Sequence, residues 1–94
     1  MDHTTDVIRK RMRFTGRVQG VGFRYRAKYA ANGMCITGWA KNEWDGSVVM
    51  EAQGTEVQIN QMLKMINQSD YIVIDSIETK IIPVEEHETG FHVR

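Results

Sequence analysis

From Lys10 to Val18 the chain alternates. Met12, Phe14, Gly16 and Val18 fall on one set of positions, and Arg11, Arg13, Thr15 and Arg17 on the other. A period of two sends successive side chains to opposite faces of an extended backbone, so this segment predicts a strand with one buried and one wet side. The alternation runs out in Gly16-Arg17-Val18-Gln19-Gly20-Val21-Gly22-Phe23-Arg24, where three glycines crowd seven residues. Residues 23–32 then show a different period. At about 100° per residue, Phe23, Ala27, Ala30, Ala31 and Met34 gather on one side and Tyr25 and Tyr29 on the other. Gly33 follows, a residue type that commonly ends helices. Strand, glycine-rich turn and helix form a unit that the rest of the chain must pack around.

Cys35–Asn42 reads as a second strand and Ser47–Gly54 as a third. They are joined across Glu43-Trp44-Asp45-Gly46. An Asp-Gly pair between two strand-like runs predicts a hairpin, because glycine accepts the positive φ such turns need. Thr55-Glu56-Val57-Gln58 fits a capping box at the start of a second helix, with Val57, Ile59, Met62, Leu63, Met65 and Ile66 on its apolar side. Its methionines read as core filler. Tyr71–Ile82 predicts a long strand and Phe91–Arg94 a short last one. The order is βαββαβ with an additional strand. It predicts an α+β, ferredoxin-like sandwich: an antiparallel sheet with two helices on one face and the other face partly wet.

The 94 residues suffice for one small domain. A single cysteine forms no intrachain disulfide and is compatible with a reducing, cytoplasmic setting. No run of 18 apolar residues exists to span a membrane, and Met1–Asp6 lacks the apolar core of a signal peptide. Net charge is zero but unevenly spread. Residues 1–28 carry eight basic and two acidic side chains, and residues 29–94 carry four basic and ten acidic. That imbalance directs attention to an anionic partner near the N-terminal third.

A glycine-rich turn between strand and helix suits anion binding. Consecutive N–H groups can converge without side chains in the way, and the helix adds its unpaired N–H groups and positive dipole end. Two familiar phosphate motifs do not fit. Gly16 and Gly20 are four apart and no Lys-Ser/Thr follows, so this is not a P-loop; Gly20 and Gly22 begin a G-x-G-x-x-G, but Tyr25 stands at its third glycine. Arg24, Arg26 and Lys28 stand in the first half of the helix with no acid beside them, against the dipole. Arg26 and Lys28 are expected to point to solvent, and Arg24 to meet the anion. Arg17, on an alternating strand, is expected to face solvent or a neighbouring carboxylate.

No nucleophile stands out. Cys35 lacks the arginine of a C-x5-R phosphatase signature, Lys41 being six positions on, and is expected to be an inert thiol within an apolar strand. His3, His87 and His92 show no metal-ligand spacing, and there is no C-x-x-C, so no metal and no cofactor are expected. Trp39 and Trp44 read as packing residues, with Trp44 placed to line the mouth of a site.

Gly16–Arg24, Thr37-Gly38-Trp39-Ala40-Lys41-Asn42, Asp45-Gly46-Ser47-Val48 and the closing Gly90-Phe91-His92-Val93-Arg94 resemble, in content and spacing, the acylphosphatase family. The resemblance runs from about Arg11 to Arg94. It leaves Met1–Lys10 as a basic N-terminal extension ahead of a domain over 11–94. It implies an enzyme that hydrolyses the carboxyl–phosphate bond of acyl phosphates without metal, giving a carboxylate and inorganic phosphate. By motif position, Arg24 would bind the phosphoryl group and the backbone N–H groups of Gln19, Gly20, Val21, Gly22 and Phe23 would cradle its oxygens. Asn42 would hold and orient the attacking water. A small-molecule acyl phosphate is then the partner; no nucleic acid, no membrane and a monomer are expected. Two other readings stay open on the residues alone. One is a non-catalytic anion sensor. The other is an RNA binder, although the aromatic run that RNA-recognition sheets carry is missing.

Overall fold

The expected alternation becomes β1, Val7–Arg17. Met12 and Phe14 are buried on its helix side. In this computed structural model residues 6–94 are described. The expected extension therefore lies partly outside the described residues, with His3, and partly inside β1, since Val7–Lys10 are paired sheet residues. The other elements are α1 (Phe23–Gly33), β2 (Thr37–Asn42), β3 (Val48–Thr55), α2 (Glu56–Asn67), β4 (Val73–Ile82) and β5 (Phe91–Val93).

Helix α1 buries Phe23, Ala27, Ala30 and Ala31 of the predicted stripe, with Met34 partly buried at its C-cap, and leaves Tyr25 and Tyr29 exposed. The capping box of α2 forms as read. Gln58 N donates to Thr55 Oγ1 at 3.2 Å, and Thr55 N donates to Gln58 Oε1 at 3.0 Å. Ile59, Met62 and Ile66 bury against the same core as α1. Val57, expected on the apolar side, is exposed instead.

The strands form one sheet in the order β4-β1-β3-β2-β5. β1 runs antiparallel to β3 and β4, and β2 antiparallel to β3. β5 departs from the expected antiparallel sheet: it pairs parallel to β2, Gly38 opposite Phe91 and Ala40 opposite Val93, which makes the sheet mixed. The topology requires this. β4 ends beside Arg9, at one end of the sheet, and residues 83–90 cross that end to the opposite edge. A strand re-entering from there runs against β4, which is the direction of β2.

The face away from the helices carries charge. Arg9 is only 2 % exposed. Its Nε donates to Glu51 Oε1 at 2.9 Å, and its Nη1 and Nη2 grip the two carboxylate oxygens of Glu88 at 2.7 and 3.1 Å. Gln53 exchanges hydrogen bonds with the backbone of Glu85, fastening the 83–90 crossing to β3. Trp39 packs on this face under two guanidinium groups, Arg94 at 4.5 Å and Arg11 at 5.7 Å from its ring centroid.

Two further expectations are corrected. Cys35 is exposed, with φ 58, and precedes the strand. After α1 both Met34 N and Ile36 N donate to Ala31 O, a tight turn that swings Cys35 outward and gives the buried position to Ile36. Trp44 does not pack. It stands 96 % exposed in the turn between β2 and β3, which reverses through Gly46 at φ 93, and it is not among the residues lining the pocket beside the glycine loop.

Candidate active site

The predicted turn leaves β1 through an irregularity. The β1–β4 register shifts between Thr15 and Gly16, where φ is 123 and a Cβ would collide with the Val73 carbonyl. Val18 then dives into the core, and Gly20 and Gly22 take φ 74 and 79, values that favour glycine. A Cβ at either position would meet nothing within 4 Å. These two glycines therefore serve the backbone turn and an open approach, whereas Gly16 makes room for another strand. Phe23 locks the start of α1 into the core, its ring centroid 4.8 Å from that of Phe14.

Gly22 is the N-cap of α1. No side chain caps the helix and no acid stands in its first turn. An uncapped N-terminus leaves backbone donors unsatisfied and a positive dipole end facing outward. Immediately in front lies a pocket of about 140 Å³, lined by Val18, Gly20, Gly22, Phe23, Arg24, Tyr25 and Asn42. Arg24, from α1, and Asn42, from the end of β2, thus meet in one cavity over the glycine loop. Arg24 Nη1 donates to the main-chain oxygen of Arg94 at 2.7 Å, so β5 and the residue after it help aim the guanidinium.

Of the expected cradle, Gly20, Gly22 and Phe23 line the pocket, while Val21 packs partly against the core. Gln19 behaves in a way the sequence did not indicate. Its side-chain Nε2 donates to Glu43 O at 2.6 Å and to Ser47 O at 2.8 Å, across to the β2–β3 turn. Tyr25, read only as an exposed helix residue, forms part of the wall. No local spacing signals the role of Gln19, which depends on where the sheet brings the hairpin.

The turn is braced by its own side chains. The Ser47 hydroxyl and amide donate to Asp45 Oδ1 at 2.6 and 3.0 Å, and Arg13 Nη2 donates to Asp45 Oδ2 at 2.6 Å. Together these donors hold the Asp45 carboxyl well below the usual carboxylate range. Arg17 is exposed, as expected. Arg26 reaches α2 instead of pointing only to solvent, its Nε donating to Met65 O at 2.8 Å. Among the described residues no three His, Cys, Asp or Glu side chains cluster as metal ligands. The polar groups of the pocket are a guanidinium, a carboxamide and main-chain N–H groups, a donor set suited to the oxygens of a phosphoryl group.

The sequence profile described as Acylphosphatase matches residues 10–93. The chain belongs to the acylphosphatase family. It is 41 % identical over 86 residues to an acylphosphatase of Clostridium perfringens, covering 90 % of this chain and 97 % of that one. It is 44 % identical over 84 residues to one of Lactobacillus johnsonii, covering 87 % and 92 %. The crystal structure of acylphosphatase from Bacillus subtilis superposes with a TM-score of 0.83 at 31 % identity, covering 93 % of this chain and 98 % of that one. The likeness to acylphosphatases thus extends over nearly the whole chain. Among the described residues no helix is long and apolar enough to cross a membrane.

Proposed function

We propose that this chain hydrolyses small acyl phosphates, with Arg24 and the N–H groups of the 19–23 loop holding the phosphoryl group and Asn42 orienting the water. The supporting observation is the convergence of Arg24, the uncapped start of α1 and Asn42 on one pocket of about 140 Å³. That volume suits a phosphoryl group and leaves the acyl end outside. The arginine fork and backbone donors neutralise charge on the equatorial oxygens. The Asn42 amide has an acceptor and two donors, so it holds a water without titrating. The water oxygen forms a bond to phosphorus while the bond from phosphorus to the carboxyl oxygen breaks. The carboxylate departs with the electron pair, and the water proton passes to a phosphate oxygen. A carboxylate leaves readily, so positioning and electrostatics supply the catalysis, as phosphoryl transfer generally asks, without metal.

The test is release of phosphate from benzoyl or acetyl phosphate by the purified protein in EDTA. Turnover is expected. A folded protein that binds phosphate without turnover would make the pocket an anion sensor. Asn42→Ala is expected to lower kcat while leaving inhibition by phosphate nearly unchanged; a loss of phosphate binding alone would refute the water-orienting role.

A further inference from the structure

We propose that the Gln19 side chain is a positioning residue, a strut that ties the phosphate loop to the turn carrying Asn42 and so sets the distance between phosphorus and the attacking water. This rests on the reading of Asn42 given above. The turn between β2 and β3 closes on itself through two backbone bonds, Glu43 N donating to Ser47 O at 2.8 Å and Gly46 N to Glu43 O at 3.2 Å. Each of those carbonyl oxygens keeps a second lone pair. The two N–H bonds of the Gln19 carboxamide fill both, at 2.6 and 2.8 Å. One planar group bonded at two points fixes orientation as well as separation. Asn42 immediately precedes Glu43 and is paired with Val48 in the sheet, so its position follows that of the turn. On its other side the turn is pinned by Asp45, through Ser47 and Arg13. The phosphate loop and the water-holding residue come from separate segments of chain. Gln19 is the side chain that crosses between them.

A strut of this kind acts on kcat more than on phosphate affinity. The backbone donors and Arg24 stay in place without it, whereas a misplacement of about 1 Å at Asn42 costs up to about a hundredfold in rate. Gln19→Met keeps length and removes both donors. It is expected to lower kcat about tenfold, with the phosphate inhibition constant within about twofold. In an Asn42→Ala background the same change is expected to alter kcat by less than about twofold, since the group it positions is gone. Gln19→Glu gives a second readout. Its carboxylate faces two carbonyl oxygens at neutral pH, and protonation restores one donor, so its activity relative to the parent protein should rise as pH falls toward about 4.3, the ordinary glutamate value.

An equal loss of kcat in both backgrounds, a parallel loss of phosphate affinity, or a Gln19→Glu ratio flat with pH would each overturn the proposal. A direct measurement stands apart from turnover. Titration with inorganic phosphate should shift the backbone amide resonances of residues 43–47, and Gln19→Met should abolish those shifts. If they persist in that variant the strut is wrong, even should the parent protein prove unable to hydrolyse acyl phosphates. If Asn42→Ala turns over normally while the shifts depend on Gln19, the water-orienting role fails, and with it the positioning role of Gln19, leaving only the tie between loop and turn.

Discussion

Arg24 has two obligations from one guanidinium. It donates to the main-chain oxygen of Arg94 and faces the pocket. A planar fork can serve both partners, and a single ammonium cannot do so in the same geometry. Arg24→Lys is therefore expected to lower kcat/KM by about a hundredfold or more, with thermal unfolding little changed, since the side chain is only half-buried. Steady-state assay beside a melting curve checks both parts; retained activity would remove Arg24 from the role proposed for it. Arg24 and Asn42 were legible in the sequence because a motif marks them at fixed spacing. Gln19 was legible only as a backbone donor. Its side-chain partners lie 24 and 28 residues away, and no periodicity encodes a bond that exists only after the hairpin has docked.

At the scale of elements, local chemistry is most legible where it is self-contained. The Thr55 cap of α2 needs only four consecutive residues, and both of its hydrogen bonds form. Thr55→Ala should cost about 1 kcal/mol in urea unfolding and leave kcat unaltered, because α2 supplies no wall of the pocket. A loss of activity at full stability would contradict that separation. The strand after α1 is less legible. Cys35 has an apolar neighbourhood in sequence, yet the turn through Ala31 O places it outside the sheet, a choice made by the helix end and not by strand propensity. The direction of β5 was illegible for a similar reason. Three residues carry no signal of parallel or antiparallel pairing; the connection across the sheet end decides it.

At the scale of the whole molecule, the Arg9–Glu88 pair contributes to behaviour in acid beside Asp45, whose carboxyl is also held below its ordinary range. Burial pulls the Glu88 carboxyl upward, but Arg9 foremost, together with Thr37 and His92, outweighs it and holds it below its ordinary 4.5. A depressed folded value means that the folded state favours the ionised form. Its contribution is complete above about 4.5 and fades as pH falls through the folded value. The Arg9 guanidinium is raised from an already high value by Glu88, so its share is lost only in strong alkali. Urea midpoints should be level between pH 6 and 8 and fall below about pH 4.5. Glu88→Gln should start lower at neutral pH and fall less steeply in acid. A parallel pH curve for that variant would show that another group controls acid unfolding.

Arg9 and Glu88 stand 79 residues apart in the chain. Strands paired over long separations must close large loops before contacts repay the lost entropy, so mixed α/β domains fold more slowly than helical bundles. The clamp can close only after the 83–90 segment has crossed the sheet end, so it is a late event. Late contacts leave the folding rate alone and slow the reverse step. Stopped-flow measurements on Glu88→Gln should show an unchanged refolding limb and a faster unfolding limb; a slowed refolding limb would place the clamp in the nucleus. What binds the crossing segment to the open face of the sheet is then a latch on native-state lifetime.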